Sequence, residues 1–344
     1  MSQFALPAEM IAMHHAFKLA QASAAPLGPN PRVGCVIMDN SGVYLAEGFH
    51  LGVGTKHAEM AAIQSSKSNL SGATAVVTLE PCYRPDRETD CARSLINAGV
   101  SRVVIAQPDK TAKSSGGAEF LRSHSIDVIE NVAHEEASGI NPWFTIAQMQ
   151  QRPYVRVKIA ASLDGKIAAQ DGSSKWITGS ESRQVVHALR EESHCIITST
   201  RTVLTDDAKL TARDALGELR SHQPSVFILG STPIPTNHVV FSSDHAVALS
   251  DEQDLGKILS DLWHDQKLSV LVEAGPKLTT AFLLAGLVNE LVWFVAPKLI
   301  GSTGKDAIDD IGVSSISDAI QLQLHSTTTI GSDQMLVYRN LAEY

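Results

Sequence analysis

Basic residues are in short supply in this chain, which sets 28 Lys and Arg against 37 Asp and Glu for a formal net charge of -9 over 344 residues. A net charge of that sign and the scarcity of basic clusters argue against a general nucleic-acid binder, because phosphate backbones are held mainly by lysine and arginine. Long apolar runs are missing too, so nothing reaches the roughly 20 residues needed to cross a bilayer. Met1 to Met10 has neither a charged start nor an extended apolar core, and a cytoplasmic protein is expected. The G-x-G-x-x-G dinucleotide fingerprint is absent, which removes a standard Rossmann reading. No internal repeat or low-complexity tract stands out. Cysteine is limited to four residues. Cys35 and Cys195 sit in apolar, strand-like runs and are expected as buried free thiols rather than a disulfide.

The other two cysteines belong to a pattern. His57-Ala58-Glu59 is answered by Pro81-Cys82 and then Cys91. One imidazole and two thiols supply three zinc ligands and leave the fourth tetrahedral position open for water, the arrangement of a catalytic rather than a structural zinc site. A carboxylate two residues from the ligand His can stand beside the metal without binding it and carry protons to a leaving amine. The division of labour is that of the zinc deaminases, with Glu59 as the proton carrier. One Zn2+ per chain is expected. His-Ala-Glu alone is common in helices. The two cysteines, placed where strands hand over to helices, give it weight.

At this length two domains are expected. A helix over 8–23, with Ile11, Phe17 and Leu19 toward a core, leads through Pro26 to Pro31 into strands Val33 to Met38 and Val43 to Ala46. Helices and strands then alternate to Ile129, which predicts a three-layer α/β sandwich. Arg152-Pro153 marks the border, so residues 1–151 form one domain and 152–344 another. The second alternates strands and helices again and closes with two strands near Gln321 to His325 and Met335 to Arg339, expected to be antiparallel. Within it, Val272 to Pro276 ends a strand and opens a helix whose amides suit a phosphate. A plain turn would look the same.

Taken together, these motifs resemble the bacterial bifunctional riboflavin-biosynthesis deaminase/reductase. The likeness rests on His57-Ala58-Glu59 and Thr78-Leu79-Glu80-Pro81-Cys82, preceded by Pro29-Asn30-Pro31-Arg32-Val33-Gly34-Cys35. It continues through Ser162-Leu163-Asp164-Gly165-Lys166, Ser174-Lys175-Trp176-Ile177-Thr178, Thr202-Val203-Leu204-Thr205-Asp206-Asp207, Leu210-Thr211-Ala212-Arg213, Glu273-Ala274-Gly275-Pro276 and Ala296-Pro297-Lys298, in the family's order. The resemblance implies a cytidine-deaminase-like three-layer α/β/α domain followed by a dihydrofolate-reductase-like α/β domain. It also implies zinc-dependent loss of the 2-amino group from a phosphoribosylated diaminopyrimidinone and then NADPH-dependent reduction of the ribosyl moiety to ribityl. By the family pattern Asn30, His50 and Arg87 hold the deaminase substrate. Ala160, Trp176, Thr202, Asp206, Ser231 and the run Gly275, Pro276, Lys277, Leu278, Thr279, Thr280 and Ala281 meet the cofactor. Ser174, Arg190, Leu210, Arg213 and Glu273 meet the reductase substrate, the two arginines as phosphate forks. The partners implied are small phosphoribosylated pyrimidines, with no nucleic acid and no membrane. A homo-oligomer is compatible with all of this.

The chain departs from the family between its zinc cysteines. Where a Gly-Arg/Lys-Thr-Pro loop is usual, it reads Tyr83-Arg84-Pro85-Asp86-Arg87-Glu88-Thr89-Asp90. Three acids beside a phosphorylated substrate cost about 3 kcal/mol for each like-charge pair at roughly 6 Å, before screening, unless Arg84 and Arg87 offset them. Three alternatives follow: a first domain retuned to another pyrimidine or inactive, a deaminase of nucleic-acid bases, and a non-catalytic, zinc-stabilised nucleotide-binding module. The last would need a fourth protein ligand and no Glu59.

Overall fold

The chain divides between Gln150 and Gln151 into two compact units. The computed structural model describes residues 4–22, 30–52, 54–111, 114–242 and 245–339. The end of the expected first helix and the expected loop residues Pro26 to Pro29 lie outside the described residues.

The first unit runs α1 (Pro7–Ala22), β1 (Gly34–Met38), β2 (Tyr44–Phe49), α2 (Ala58–Ser65), β3 (Thr74–Val77), α3 (Cys91–Asn97), β4 (Arg102–Ile105), α4 (Gly117–Ser123), β5 (Asp127–Ile129), α5 (His134–Ile140) and α6 (Pro142–Gln150). Its sheet has the order β2-β1-β3-β4-β5. β1 is antiparallel to both β2 and β3, whereas β3, β4 and β5 are parallel. Every residue of β1 and β3 is buried, as expected of strands covered on both faces. Helix α1 packs through Ala12, Met13, Ala16, Phe17 and Ala20, while Ile11, expected inside, is 66% exposed. The reason is helical phase: at about 100° per residue Ile11 lies on the side of α1 opposite the stripe Ala12, Met13, Ala16, Phe17 and Ala20, and that stripe sits so close to β1 that a Cβ on Gly34 would lie 2.0 Å from the carbonyl oxygen of Ala16.

Gly48 does the same for α2. A Cβ there would meet the Ala62 nitrogen at 2.4 Å and the Ala58 oxygen at 2.5 Å. The helix that begins just after His57 is thereby seated directly on β2.

The second unit runs β6 (Tyr154–Ser162), β7 (Lys166–Ala168), α7 (Ser180–Glu191), β8 (Cys195–Ser199), α8 (Thr200–Asp206), β9 (Ser225–Leu229), β10 (Val247–Ser250), α9 (Leu255–His264), β11 (Ser269–Val272), α10 (Pro276–Leu284), β12 (Glu290–Ala296), β13 (Lys305–Asp306), β14 (Gln323–Ile330) and β15 (Asp333–Arg339). The large sheet has the order β10-β9-β8-β11-β6-β12-β15-β14. The first six strands of that order are parallel, and β15 and β14 add an antiparallel edge. β11 inserts between β8 and β6. From β8 the chain proceeds through α8 to β9 on one side, and from β11 it proceeds through α10 to β12 on the other. Adjacent parallel strands whose connections leave in opposite directions open a crevice at their carboxyl ends.

Two cations alternate on one face of β6. The first, Arg156, bonds through Nε to Glu290 Oε1, and Arg339 Nε bonds Glu290 Oε2 at 3.0 Å. Glu290 is buried, which would raise its pKa, but Arg156 and then Arg339 hold it below the usual carboxylate range. The carboxylate thus ties β6, β12 and β15 together. Removing the acid alone takes the shared carboxylate from two mostly buried guanidinium groups, with Glu192 still 3.4 Å from Arg156. Glu290→Ala should therefore lower the stability of this unit by about 3–5 kcal/mol, read as a shift in its urea unfolding midpoint at an unchanged slope.

Candidate active sites

His57 is the N-cap of α2, with extended backbone (φ -65°, ψ 159°) and a side chain that does not cap its own helix. The imidazole is left to turn outward. Cys91 opens α3, whose N-cap Asp90 accepts a hydrogen bond from the Arg93 amide. Cys82 follows β3 and accepts the Ala92 amide at its backbone oxygen, 3.2 Å away. Its approach needs Gly117, where a Cβ would lie 1.8 Å from the Pro81 oxygen. Buried Glu80 fastens the same turn by accepting the amides of Asp109 at 2.9 Å and Ala118 at 2.8 Å.

The ligand atoms of His57, Cys82 and Cys91 all lie within 4.8 Å of one another. His57 Nδ1 is 3.5 Å from Cys82 Sγ and 3.2 Å from Cys91 Sγ. A tetrahedral zinc, with bonds of about 2.3 Å to sulfur and 2.0 Å to nitrogen, sets such donors roughly 3.5 Å apart. The donor set therefore fits zinc, with three protein ligands among the described residues. Contact with Cys91 first, and with His57, brings the Cys82 thiol down to about 4, so a thiolate is available as a ligand.

Glu59 sits in the first turn of α2, buried, with its carboxyl beside Cys91. Burial, then the charge on Cys82, pushes its pKa up to about 7. A carboxyl poised there can take and return a proton near neutral pH.

Asn30 and His50 come together at the same place. Asn30 Nδ2 is 3.1 Å from His50 Nε2, and the His50 ring lies 5.3 Å from that of His57. His50 Nδ1 faces the Lys56 carbonyl at 3.0 Å, so it carries the proton and Nε2 accepts from Asn30. Burial lowers the His50 pKa and keeps the ring neutral.

Arg87 is on the exposed turn of loop 83–90, with its amide bonded to the Arg84 oxygen at 3.1 Å. One expectation about this loop is corrected. Asp90 does not face outward as a third acid: it is buried and bound by Arg93 and by the Arg84 amide. Arg93, not Arg84 or Arg87, neutralises it.

In the second unit, Arg190 grips Glu273 with Nε at 2.6 Å and Nη2 at 3.0 Å, and donates from Nη1 to the Thr211 oxygen at 3.1 Å. Lys158 Nζ reaches Glu273 Oε2 at 3.1 Å. Burial alone would raise Glu273, yet Arg190 and then Lys158 hold it at about 2. The Arg190 fork is thus directed at a carboxylate rather than left open for phosphate. Arg213 donates from Nε to Thr211 Oγ1 at 3.1 Å and from Nη1 to the Gly217 oxygen at 2.5 Å. Leu210, just before, is buried in left-handed backbone (φ 54°).

Of the remaining positions, Thr202 and Gly275 meet at the crevice. The Gly275 amide lies 3.3 Å from Thr202 Oγ1, and Gly275 caps α10 with no side chain of its own. This places a bare helix N-terminus beside a hydroxyl, where backbone amides suit a phosphate. Pro276 occupies the first helical position, and Lys277 is exposed. Leu278 and Ala281 are half-buried. Thr279 and Thr280 turn inward, to the Ala274 oxygen and the Asp309 amide. Asp206 ends α8, its carboxyl raised by burial and moderated by Lys158. Ala160 pairs with Phe294 within the sheet. Ser231 is exposed just beyond β9, and Ser174 is half-buried ahead of Trp176.

Trp176 is 64% exposed and left-handed (φ 69°), stacked under Arg183 at 4.0 Å. A tryptophan used only for packing would be inside. Lys158 does not stand out among the motifs of the sequence, although a lysine within the apolar strand Tyr154 to Ser162 was a usable signal. Cys35 and Cys195 are buried and free, as expected.

Comparison with known proteins agrees with this arrangement. Residues 8–107 match the cytidine and deoxycytidylate deaminase zinc-binding region, and residues 153–336 match the RibD C-terminal domain. The riboflavin biosynthesis protein RibD of Escherichia coli is 34% identical, over 94% of this chain and 97% of that protein. Its counterpart in Aquifex aeolicus is 33% identical over 95% and 97%. Among solved structures, Acinetobacter baumannii RibD superposes with a TM-score of 0.89 at 33% identity, covering 96% of this chain and 98% of that one. The diaminohydroxyphosphoribosylaminopyrimidine deaminase/5-amino-6-(5-phosphoribosylamino)uracil reductase of Thermotoga maritima gives 0.85 at 32%, with the same coverage. With both halves matched and the likeness running nearly end to end, the chain belongs to the RibD family of bifunctional riboflavin-biosynthesis proteins, a zinc-site deaminase unit and a reductase unit in one polypeptide.

Proposed function

We propose that residues 1–151 hydrolytically deaminate 2,5-diamino-6-(5-phosphoribosylamino)pyrimidin-4-one and that residues 152–344 then reduce its ribosyl group to ribityl with NADPH. The observation that carries the reading is the open cluster of His57, Cys82 and Cys91 with the buried carboxyl of Glu59 beside it. Zinc held there supplies the Lewis acidity that makes water nucleophilic near neutral pH. Glu59 accepts a proton of the attacking water and delivers it to the departing amine, so the exocyclic C–NH2 bond at the ring carbon is exchanged for C=O and ammonia leaves. Asn30 and the neutral His50 offer polar atoms to the pyrimidine. Arg87, in the loop between the zinc cysteines, offers a cation to the substrate phosphate. The surplus acid is absent: Asp90 is paired, leaving Asp86 and Glu88 balanced by Arg84 and Arg87.

For the reductase, NADPH supplies the hydride. Thr202 and the helix terminus at Gly275 are suited to its phosphates, and the exposed ring of Trp176 to an aromatic or sugar face. Glu273 is held as a carboxylate. Such a group has about four acceptor positions, and Arg190 and Lys158 take three, leaving about one for a ribosyl hydroxyl. Among the described residues no helix is long and apolar enough to cross a membrane. Free thiols at Cys35 and Cys195 accord with a reducing, cytoplasmic setting.

Two variants test the first half together. Cys82→Ser should remove zinc and ammonia release while leaving NADPH binding intact, and Glu59→Gln should keep zinc yet lose about a hundredfold or more in ammonia release. Full zinc occupancy in the serine variant would reject the ligand set. Arg87→Ala should lower deaminase kcat/KM by roughly ten- to a hundredfold, mainly through KM, with partial rescue by Arg87→Lys and no change in the reductase. Zinc-loaded wild-type protein that releases no ammonia from this substrate, beside a working reductase, would reject the deaminase assignment and leave the other half standing.

A further inference from the structure

The loop between the zinc cysteines departs from the sequence usual in the family, and it is tied down by one side chain outside it. Arg93, in the first turn of α3, donates from Nη1 to the Arg84 oxygen at 3.1 Å and from the same nitrogen to the Asp90 carboxylate. That carboxylate also accepts the Arg84 amide at 3.1 Å and the Arg93 amide at 2.8 Å. Both backbone polar groups of Arg84 therefore end on Asp90 or Arg93. The guanidinium lies 5.0 Å from the ring centres of both Tyr83 and Phe120, which stack on each other at 4.2 Å. Tyr83 in turn donates its amide to the Ser114 oxygen at 3.0 Å. Beyond this clamp the loop is sparsely held. The Arg87 amide bonds the Arg84 oxygen, and residues 85–89 are exposed.

We propose that Arg93 is the positioning residue of this loop, fixing its conformation through Arg84, Asp90 and the Tyr83–Phe120 pair and thereby setting the affinity of the deaminase site for its phosphorylated substrate. The second clause rests on the deaminase reading above; the first does not. Three features make the residue suited to the task. A planar fork can serve a carboxylate and a carbonyl together and still stack on rings, which an ammonium cannot. Asp90 is buried, so its charge needs that partner. And Arg93 is anchored in a helix by the same Asp90 that caps it, so the loop takes its register from α3, the helix that carries the ligand Cys91.

Limited trypsin digestion of the full-length, zinc-loaded protein reads the loop directly. Arg84 precedes a proline and resists cleavage, whereas the Arg87–Glu88 bond is exposed and open to it. Arg93→Met should speed cutting at Arg87–Glu88 about tenfold, seen by mass spectrometry, because the local opening that admits the protease becomes easier. Zinc should stay near one per chain, reductase rates should be unchanged, and deaminase KM should rise about tenfold with kcat within a few-fold of wild type. Arg93→Lys should recover only part of this. Since Arg93→Met leaves the buried Asp90 carboxylate with its backbone amides but without its guanidinium partner, the double variant Asp90→Asn/Arg93→Met, which keeps a capping side chain without the buried charge, should release the loop in a normally stable protein. Unchanged cleavage in that double variant would overturn the clamp, as would loss of zinc in step with KM, which would make Arg93 a support of the metal site. Faster cleavage with zinc retained but KM unmoved would overturn the link to affinity. If the wild-type protein releases no ammonia while the variants are cut faster, the clamp stands and the deaminase reading falls.

Discussion

Three soft donors from separate segments must meet within 4.8 Å, and the first unit is built around that requirement. Two thiols and an imidazole so close repel once the thiols ionise, so the site needs either a proton shared among them or a cation. The backbone brings them together by close approach rather than by long side chains. Gly48 lets α2 settle on β2, and Gly117 lets α4 press against the turn at Pro81. His57 is spared from capping its helix and Glu59 is carried inside by the first turn of the same helix. A single helix start thus delivers a ligand outward and a proton carrier inward, two residues apart.

The second unit solves a different electrostatic problem. Arg156 and Lys158 lie on one face of β6, and each is answered by a buried carboxylate, Glu290 on β12 and Glu273 just past β11. Buried pairs of this sort contribute little net stability compared with apolar packing, but leaving one partner alone is costly, so they fix which strands lie next to each other. The Glu290 pair serves the sheet. The Glu273 pair stands at the crevice where the chain reverses direction, and Arg190 is drawn into it. An arginine read as a phosphate fork proves, in the folded chain, to hold an acid in its ionised state. Both uses suit a guanidinium, and only the distance to Glu273 separates them.

Chemistry-bearing positions were legible where short spacing and residue type decide the outcome. His57 and Glu59 are two residues apart at a helix start, and Cys82 and Cys91 flank one loop, so their convergence needs little more than the strand and helix between them. Burial of whole strands such as Thr74 to Val77 was equally plain, because an apolar run of that length has few other fates. Ile11 shows where that reasoning fails: hydrophobicity favoured the core, but the helical period turns it away from the face of Ala12, Met13, Ala16, Phe17 and Ala20 that packs on the sheet.

What the sequence by itself determined, then, is the kind of chemistry: a zinc donor set with its carboxyl, a break near Arg152, two α/β units and a helix start at Gly275. These follow from local patterns, in which the responsible atoms are near neighbours along the chain. Only the tertiary structure decided the partnerships. That Asp90 is paired with Arg93 and not presented to a substrate, that Lys158 joins Glu273, and that β11 slips between β8 and β6 all depend on contacts between segments far apart in sequence or on the direction of one side chain. Charges of either sign can be counted in a sequence, but whether they cancel depends on distances of about 3 Å that packing alone sets.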